Sequence, residues 1–378
     1  MKKKVAHYIH VPFCKRKCYY CDFASYPFDR VDADLYLRVL PREIELRAGL
    51  LGHAEATSIF FGGGTPTTLP GKVIAGIIDE LSRYYSLAPG LEITVEANPG
   101  TLDEVKLLEL RKAGVNRISL GMQAAQDRLL QLLGRSHKFK DVAEAVEMVR
   151  DAGFANLSLD LIYGVPEQTM DDWRETVETA LSFEPQHISA YALEVHEGTR
   201  LAELIALGEL QECDEGLAVD MYRSLQSRLK EAGFGQYEIS NFARPGYECR
   251  HNLTYWRNED YVGYGPGACS HIDGCRQTNE QDLMQFAVRL FAGELPVAEK
   301  DCPDRKVQMA ETTFLGLRLT AGLDRAAFAD RFGEDPVEVY ASVIPRLVQQ
   351  GLLEVDGRSI RLTDAALPVA NEVFEAFL

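Results

Sequence analysis

Short apolar runs and helix-spaced runs alternate along the first half of the chain. The β-like runs fall at residues 7–11, 57–61, 91–97, 117–122, 157–164 and 187–193, and segments with apolar residues at helical spacing lie between them at 33–50, 72–85, 102–113, 126–133, 138–152 and 171–182. Strands that are apolar on both faces and separated by helices predict a parallel sheet covered by helices. Six units, where a closed barrel of this kind has eight, predict an α/β fold: a partial, open (β/α)6 barrel of the TIM type. Polar residues gather at the C-terminal ends of those strands, the edge where parallel α/β architectures build their sites.

From about residue 303 the pattern changes. Amphipathic helices are expected at 306–319, 325–331 and 336–349, followed by LLEV and SIRL flanking the Asp356-Gly357 turn and by a terminal helix. Three helices and a hairpin predict a smaller C-terminal α+β domain of winged-helix type. The expected division is 1–235 for the partial barrel, 236–300 for a central extension and 301–378 for the C-terminal domain.

Composition narrows the classes. With 46% apolar residues in 378, the chain can bury a large core. Forty basic against 57 acidic side chains give a net charge of -17, which disfavours nucleic acid and anionic lipid, because phosphate contacts need clustered Lys and Arg. No run approaches the roughly 20 apolar residues that span a bilayer, and MKKK leads into the first strand without a signal-peptide core. A cytoplasmic protein, not integral to a membrane, is expected, with its eight cysteines kept as thiols.

Cys14, Cys18 and Cys21 stand in the spacing C-x3-C-x2-C after the first apolar run. Gaps of three and two residues let one loop present three sulfurs to three irons of a cubic cluster, leaving the fourth iron open. A zinc site closed by His7 or His10 fits the same spacing, and so do free thiols. FFGGGTPT at 60–67 follows the second strand, where glycines let the backbone approach a ligand closely. The remaining cysteines, Cys213, Cys269, Cys275 and Cys302, lack metal spacing and are expected to be small buried apolar residues.

The run YIHVPFCKRKCYYCDF at 8–23 resembles the cluster loop of the radical S-adenosylmethionine (SAM) superfamily, in the branch of oxygen-independent coproporphyrinogen oxidase and the heme chaperone HemW family. That resemblance implies a 4Fe-4S cluster on Cys14, Cys18 and Cys21, with SAM on the open iron and reductive cleavage of SAM as the superfamily's chemistry. It further implies cofactor contacts from Gly63, Gly64 and Thr65 of the glycine motif. Glu96 of VEANP, Gln123 of GMQ, Arg135 of LGR, Asp160 of DLIYGVP, Tyr8 and Ala192 complete the implied set. A carboxylate can accept from ribose hydroxyls or an ammonium, an amide can bridge, and Arg can pair with the methionyl carboxylate.

Within that branch, the oxidases carry a further cysteine two residues after the third and a longer N-terminal segment. Here Phe23 takes that place, and seven residues precede Tyr8. HNLTYW at 251–256 resembles the H-N-x-x-Y-W motif of the HemW family, which implies heme binding with His251 as an axial ligand and Tyr255 and Trp256 as flat aromatic contacts. Cys249 is a further candidate, as a thiolate. The reading that results is a heme chaperone with a radical SAM cofactor site. Its implied partners are heme, acceptor hemoproteins such as respiratory-chain proteins, and a second copy of the chain in a homodimer. A radical SAM decarboxylase of coproporphyrinogen and a zinc-stabilised binding protein are the alternatives.

Overall fold

A computed structural model describes residues 2–28 and 33–378. Six parallel strands run in sequence order through one sheet: β1 Lys4–Val11, β2 Glu55–Gly63, β3 Ser86–Ala97, β4 Arg117–Gln123, β5 Asn156–Tyr163 and β6 His187–Ala192. Their registers place apolar residues side by side, with Ile9 against Phe61, Phe61 against Val95 and Leu159 against Ile188. The intervening helices cover them as their spacing predicts. Helix α1 spans Ala33–Leu51 and α2 spans Gly71–Tyr84, which turns Ile74, Ile77, Ile78 and Leu81 inward at intervals of three and four. Local chemistry fixes their starts: the Asp103 side chain accepts from the Lys106 N–H before the helix Glu104–Lys112, and Thr169 and Asp172 form a capping box before Met170–Ser182.

The sheet does not end with these six strands. Beyond β6, β7 Gly235–Glu238 and β8 Asn241–Ala243 add antiparallel strands, and beyond β1 come β9 Tyr261–Tyr264, β10 Cys269–Ile272, β11 Cys275–Asn279 and β12 Val297–Asp301. The full order is β12-β11-β10-β9-β1-β2-β3-β4-β5-β6-β8-β7, with β9 parallel to β1 and the outer strands antiparallel. No break in the sheet falls at the boundary expected near residue 235. Phe242, Val262, Tyr264 and Phe286 share one core with Ile9, Phe61 and Leu159, so the residues after 235 extend the barrel's own layer. Short antiparallel strands with mixed polar patterns carry little periodicity, which is why only the six long runs stand out in the sequence.

The C-terminal helices and the three-stranded sheet of Leu323–Asp324, Leu353–Val355 and Ser359–Leu362 pack around Phe328, Ile360, Leu367 and Val373. The helix expected over 336–349 is two short helices, Pro336–Val339 and Ile344–Gln349, because Pro345 has no N–H to continue the first. This unit closes the outer edge of β7. The Thr320 N–H donates to the Tyr237 carbonyl at 3.1 Å, and Leu319 bridges Glu238. An edge strand left bare would expose its donors and acceptors.

Four cysteines depart from expectation. Cys275 and Cys302, 27 residues apart, form a disulfide that ties β11 to the residue after β12. Cys269 is exposed and Cys213 half-buried, so none of the four is the buried thiol expected from sequence.

Candidate functional site

The C-terminal ends of the parallel strands surround a cavity of about 790 Å³. Its lining includes the residues that the resemblance implies for the cluster and SAM, Tyr8, Cys14, Cys18, Cys21, Gly63, Gly64, Thr65, Glu96, Gln123, Arg135, Asp160 and Ala192, together with His251. Strand alternation explains the convergence. On β4, Arg117, Ser119, Gly121 and Gln123 are two residues apart and face inward together, as do His187, Ser189 and Tyr191 on β6. Arg117, Ser119, Asn98, His187 and Ser189 were not identified from sequence. A period of two in the polar residues, interleaved with the apolar ones, is the signal that marks them.

The cysteine loop is held by backbone pairing. Phe13–Cys14 lies beside Tyr26–Pro27 in a two-residue parallel ladder, the Tyr26 N–H donates to Pro12 O at 2.7 Å, and the Tyr19 N–H donates to Leu133 O at 3.0 Å. The glycine loop docks directly onto it, through Gly64 N–H to Val11 O at 2.8 Å and Thr65 N–H to Phe13 O at 2.7 Å. That docking requires glycine: a Cβ on Gly64 would stand 2.6 Å from the Phe13 carbonyl oxygen.

A chain of polar contacts links the two loops to Arg135. Thr65 donates to Cys14 Sγ at 3.8 Å, Asn98 Nδ2 donates to Thr65 Oγ1 at 2.8 Å, and Arg135 reaches Asn98 Oδ1, Cys18 Sγ at 3.3 Å and Tyr20 Oη at 3.2 Å. Burial pushes the Cys14 thiol up and the Cys21 thiol up to about 11, so a metal must displace protons to take these sulfurs. Three sulfurs on one cavity wall, with a guanidinium donating to one of them, suit an anionic thiolate ligand set. The histidines of the zinc alternative are engaged elsewhere. His10 pairs with Ala24 O at 2.8 Å and with Tyr8 Oη at 3.2 Å, while His7 pairs with Tyr264 Oη at 3.0 Å inside the core.

Across the cavity stand two carboxyls. Glu96 is pushed up to about 8 by burial and then by the neighbouring Asp160 charge, against one backbone N–H from Gly63. Burial also raises Asp160, although it accepts from Ser119 Oγ at 3.0 Å and from Ser189. Gln123 ends β4 at φ 64, a left-handed conformation uncommon for a side chain of this kind, and this turns its amide toward the cavity.

His251 begins a short helix, Arg250–Trp256, and does not present a free imidazole. Its Nδ1 pairs with Ser58 Oγ at 2.8 Å and its Nε2 with Tyr255 Oη at 2.8 Å, and its ring stacks on Phe60 at 5.1 Å. Burial lowers its pKa to about 3, so it is neutral. It can bind iron only by exchanging one of those hydrogen bonds for a metal bond. Trp256 faces away from the cavity and lies under the Arg318 guanidinium at 4.3 Å, which places it at the joint with the C-terminal unit. Cys249 is a buried thiol pushed up to about 12 by burial and by Glu92, to which it donates at 3.5 Å, so it does not supply a thiolate.

The chain is similar to known proteins along its length. The family model described as the radical SAM superfamily matches residues 8–180, and that described as the HemN C-terminal domain matches residues 304–369. The chain is 38% identical over 372 residues to the heme chaperone HemW of Bacillus subtilis, covering 98% of each chain. It is 34% identical over 378 residues to the heme chaperone HemW of Lactococcus lactis, covering 100% of this chain and 98% of that one. Among solved structures, coproporphyrinogen III oxidase (HemN) from Escherichia coli matches with a TM-score of 0.86 at 23% identity, over 100% of this chain and 90% of that one, a likeness of fold. The chain belongs to the HemW family within the radical SAM superfamily. Among the described residues no helix is long and apolar enough to cross a membrane.

Proposed function

We propose that the protein is a cytoplasmic heme chaperone that takes up heme and passes it to acceptor hemoproteins, and that its barrel cavity also holds a 4Fe-4S cluster and SAM. The observation that carries this reading is the single cavity of about 790 Å³ that gathers the cysteine loop, the glycine loop and the polar strand ends. Its size lies within the roughly 300–1,000 Å³ of small-molecule sites. The full-length kinship to chaperones named for heme supports the cargo.

Cys14, Cys18 and Cys21 would hold the cluster, which when bound supplies a low-potential electron and an open coordination position. Arg135 donates to Cys18 Sγ at 3.3 Å and so places a positive charge beside the cysteine loop. The Gly63–Gly64 backbone is pressed so closely on the chain that leads into the cysteine loop that a Cβ would meet the His10 ring or the Phe13 backbone, and Thr65 is fixed by Asn98. Glu96 and Asp160 can accept from hydroxyl or ammonium groups, and Gln123 offers an amide at the same height. Tyr8 and Ala192 shape opposite walls.

The experiment is a titration of hemin into anaerobically reconstituted protein, followed by addition of an apo-hemoprotein. A Soret band that forms and then moves to the acceptor is the expected result, on protein carrying about four irons and four sulfides per chain. Conversion of coproporphyrinogen to protoporphyrinogen with SAM and a reductant, without heme uptake, would replace this reading by the decarboxylase. Colourless protein with stoichiometric zinc would end the cluster assignment.

A further inference from the structure

We propose that His196, on the loop after β6, is the axial ligand of the heme iron at the mouth of the cavity. The assignment rests on the heme-binding reading above and adds to it the residue and the place. Three imidazoles line the cavity: His187, His196 and His251. His187 pairs with Ser158 Oγ at 2.8 Å and Tyr237 Oη at 2.9 Å, and His251 is held equally by Ser58 and Tyr255, so the lone pairs of both rings are engaged within the interior. His196 differs from both. Its side chain is 42% exposed, and among the described residues its ring nitrogens face the carboxylates of Asp22 at 3.8 Å and Glu194 at 3.6 Å, both longer than a hydrogen bond.

The backbone beneath it is anchored. Thr199 donates its hydroxyl to His196 O at 2.7 Å, and Leu201 N–H donates to Tyr19 O at 2.8 Å, which ties this loop to the cysteine loop. Around the imidazole the rim supplies what a porphyrin needs. Phe23 and Tyr191 are 62% and 44% exposed and offer flat apolar faces, and the exposed Arg16 and Lys17 offer cations for two propionates. On binding, one ring nitrogen of His196 gives its lone pair to iron and displaces a water. The N–H of the other faces Asp22 or Glu194, and a carboxylate at that position strengthens the imidazole as a donor.

The test is a hemin titration of the full-length, cluster-reconstituted protein, comparing wild type with His196→Ala and following the Soret and visible bands. The expected result is that His196→Ala binds at least about tenfold more weakly with a changed Soret maximum, and that added imidazole restores the wild-type spectrum. A His196→Ala spectrum and affinity equal to wild type would overturn the assignment. So would a loss that imidazole does not repair, since that marks a structural role. If wild type itself shows no heme spectrum, the heme reading fails and this assignment fails with it, an outcome distinct from the other two.

Discussion

The two walls of the cavity are built by opposite rules. Around the Arg250–Trp256 helix, polar groups satisfy one another: His251 with Ser58 and Tyr255, Cys249 with Glu92, and Arg117 with the Tyr247 carbonyl at 3.0 Å. At the cysteine loop and at the C-terminal ends of β3 and β4, groups stand in costly states. Glu96 holds a proton near neutral pH, Gln123 sits at φ 64, and burial raises the Cys14 and Cys21 thiols. A satisfied buried network stabilises a fold, whereas strained or half-satisfied groups persist where a ligand completes them. The motif that resembles heme-binding sequences therefore lies within the satisfied network, and the residues in costly states are among those that the resemblance implies for the cluster and SAM.

Substitutions on the two walls should separate in kind as well as size. The largest stability effect is expected for His251→Ala, which empties a packed site and leaves Ser58 and Tyr255 without partners, a loss of about 3 kcal/mol in denaturant unfolding. Its heme spectrum should survive, and unchanged stability with a lost Soret band would reverse the roles of the walls. Arg135→Lys should cost less, about 1 kcal/mol, because a single ammonium cannot serve Cys18, Tyr20, Asn98 and Gly121 O together. Its effect should instead appear in calorimetry of SAM binding, weakened by about tenfold or more. Equal SAM affinity would remove Arg135 from the cofactor wall.

The smallest effect is expected to be visible only against pH. The folded state raises Glu96 from 4.5 to about 8, so it binds that proton more tightly than the unfolded chain does. The resulting stabilisation is complete below pH about 4.5 and is lost as pH rises through about 8. Relative to Glu96→Gln, wild type should lose on the order of 1 kcal/mol between pH 7 and pH 8. Parallel stability curves for the two proteins would show that Glu96 ionises normally.

How much was legible follows from the range of each interaction. The six strands and their helices, the cysteine loop and the glycine loop were readable because spacing and periodicity act within a few residues, whereas Glu96, Gln123 and Asp160 were singled out only through the family resemblance. The inward polar residues Arg117, Ser119, His187 and Ser189 were hidden because their alternation is embedded in otherwise apolar strands. The Cys275–Cys302 pair was hidden because it depends on two edge strands coming together, and the two-part helix at 336–349 because a single Pro345 outweighed an amphipathic pattern.

The sequence by itself determined the class of fold, since strand and helix periodicity carry their meaning locally. Tertiary structure alone decided which imidazoles keep an available lone pair. Ser58 lies 193 positions from His251, so its hydrogen bond exists only once the sheet closes that distance. His196 differs from His251 in exposure and partners, and those are properties of the folded surface rather than of any motif.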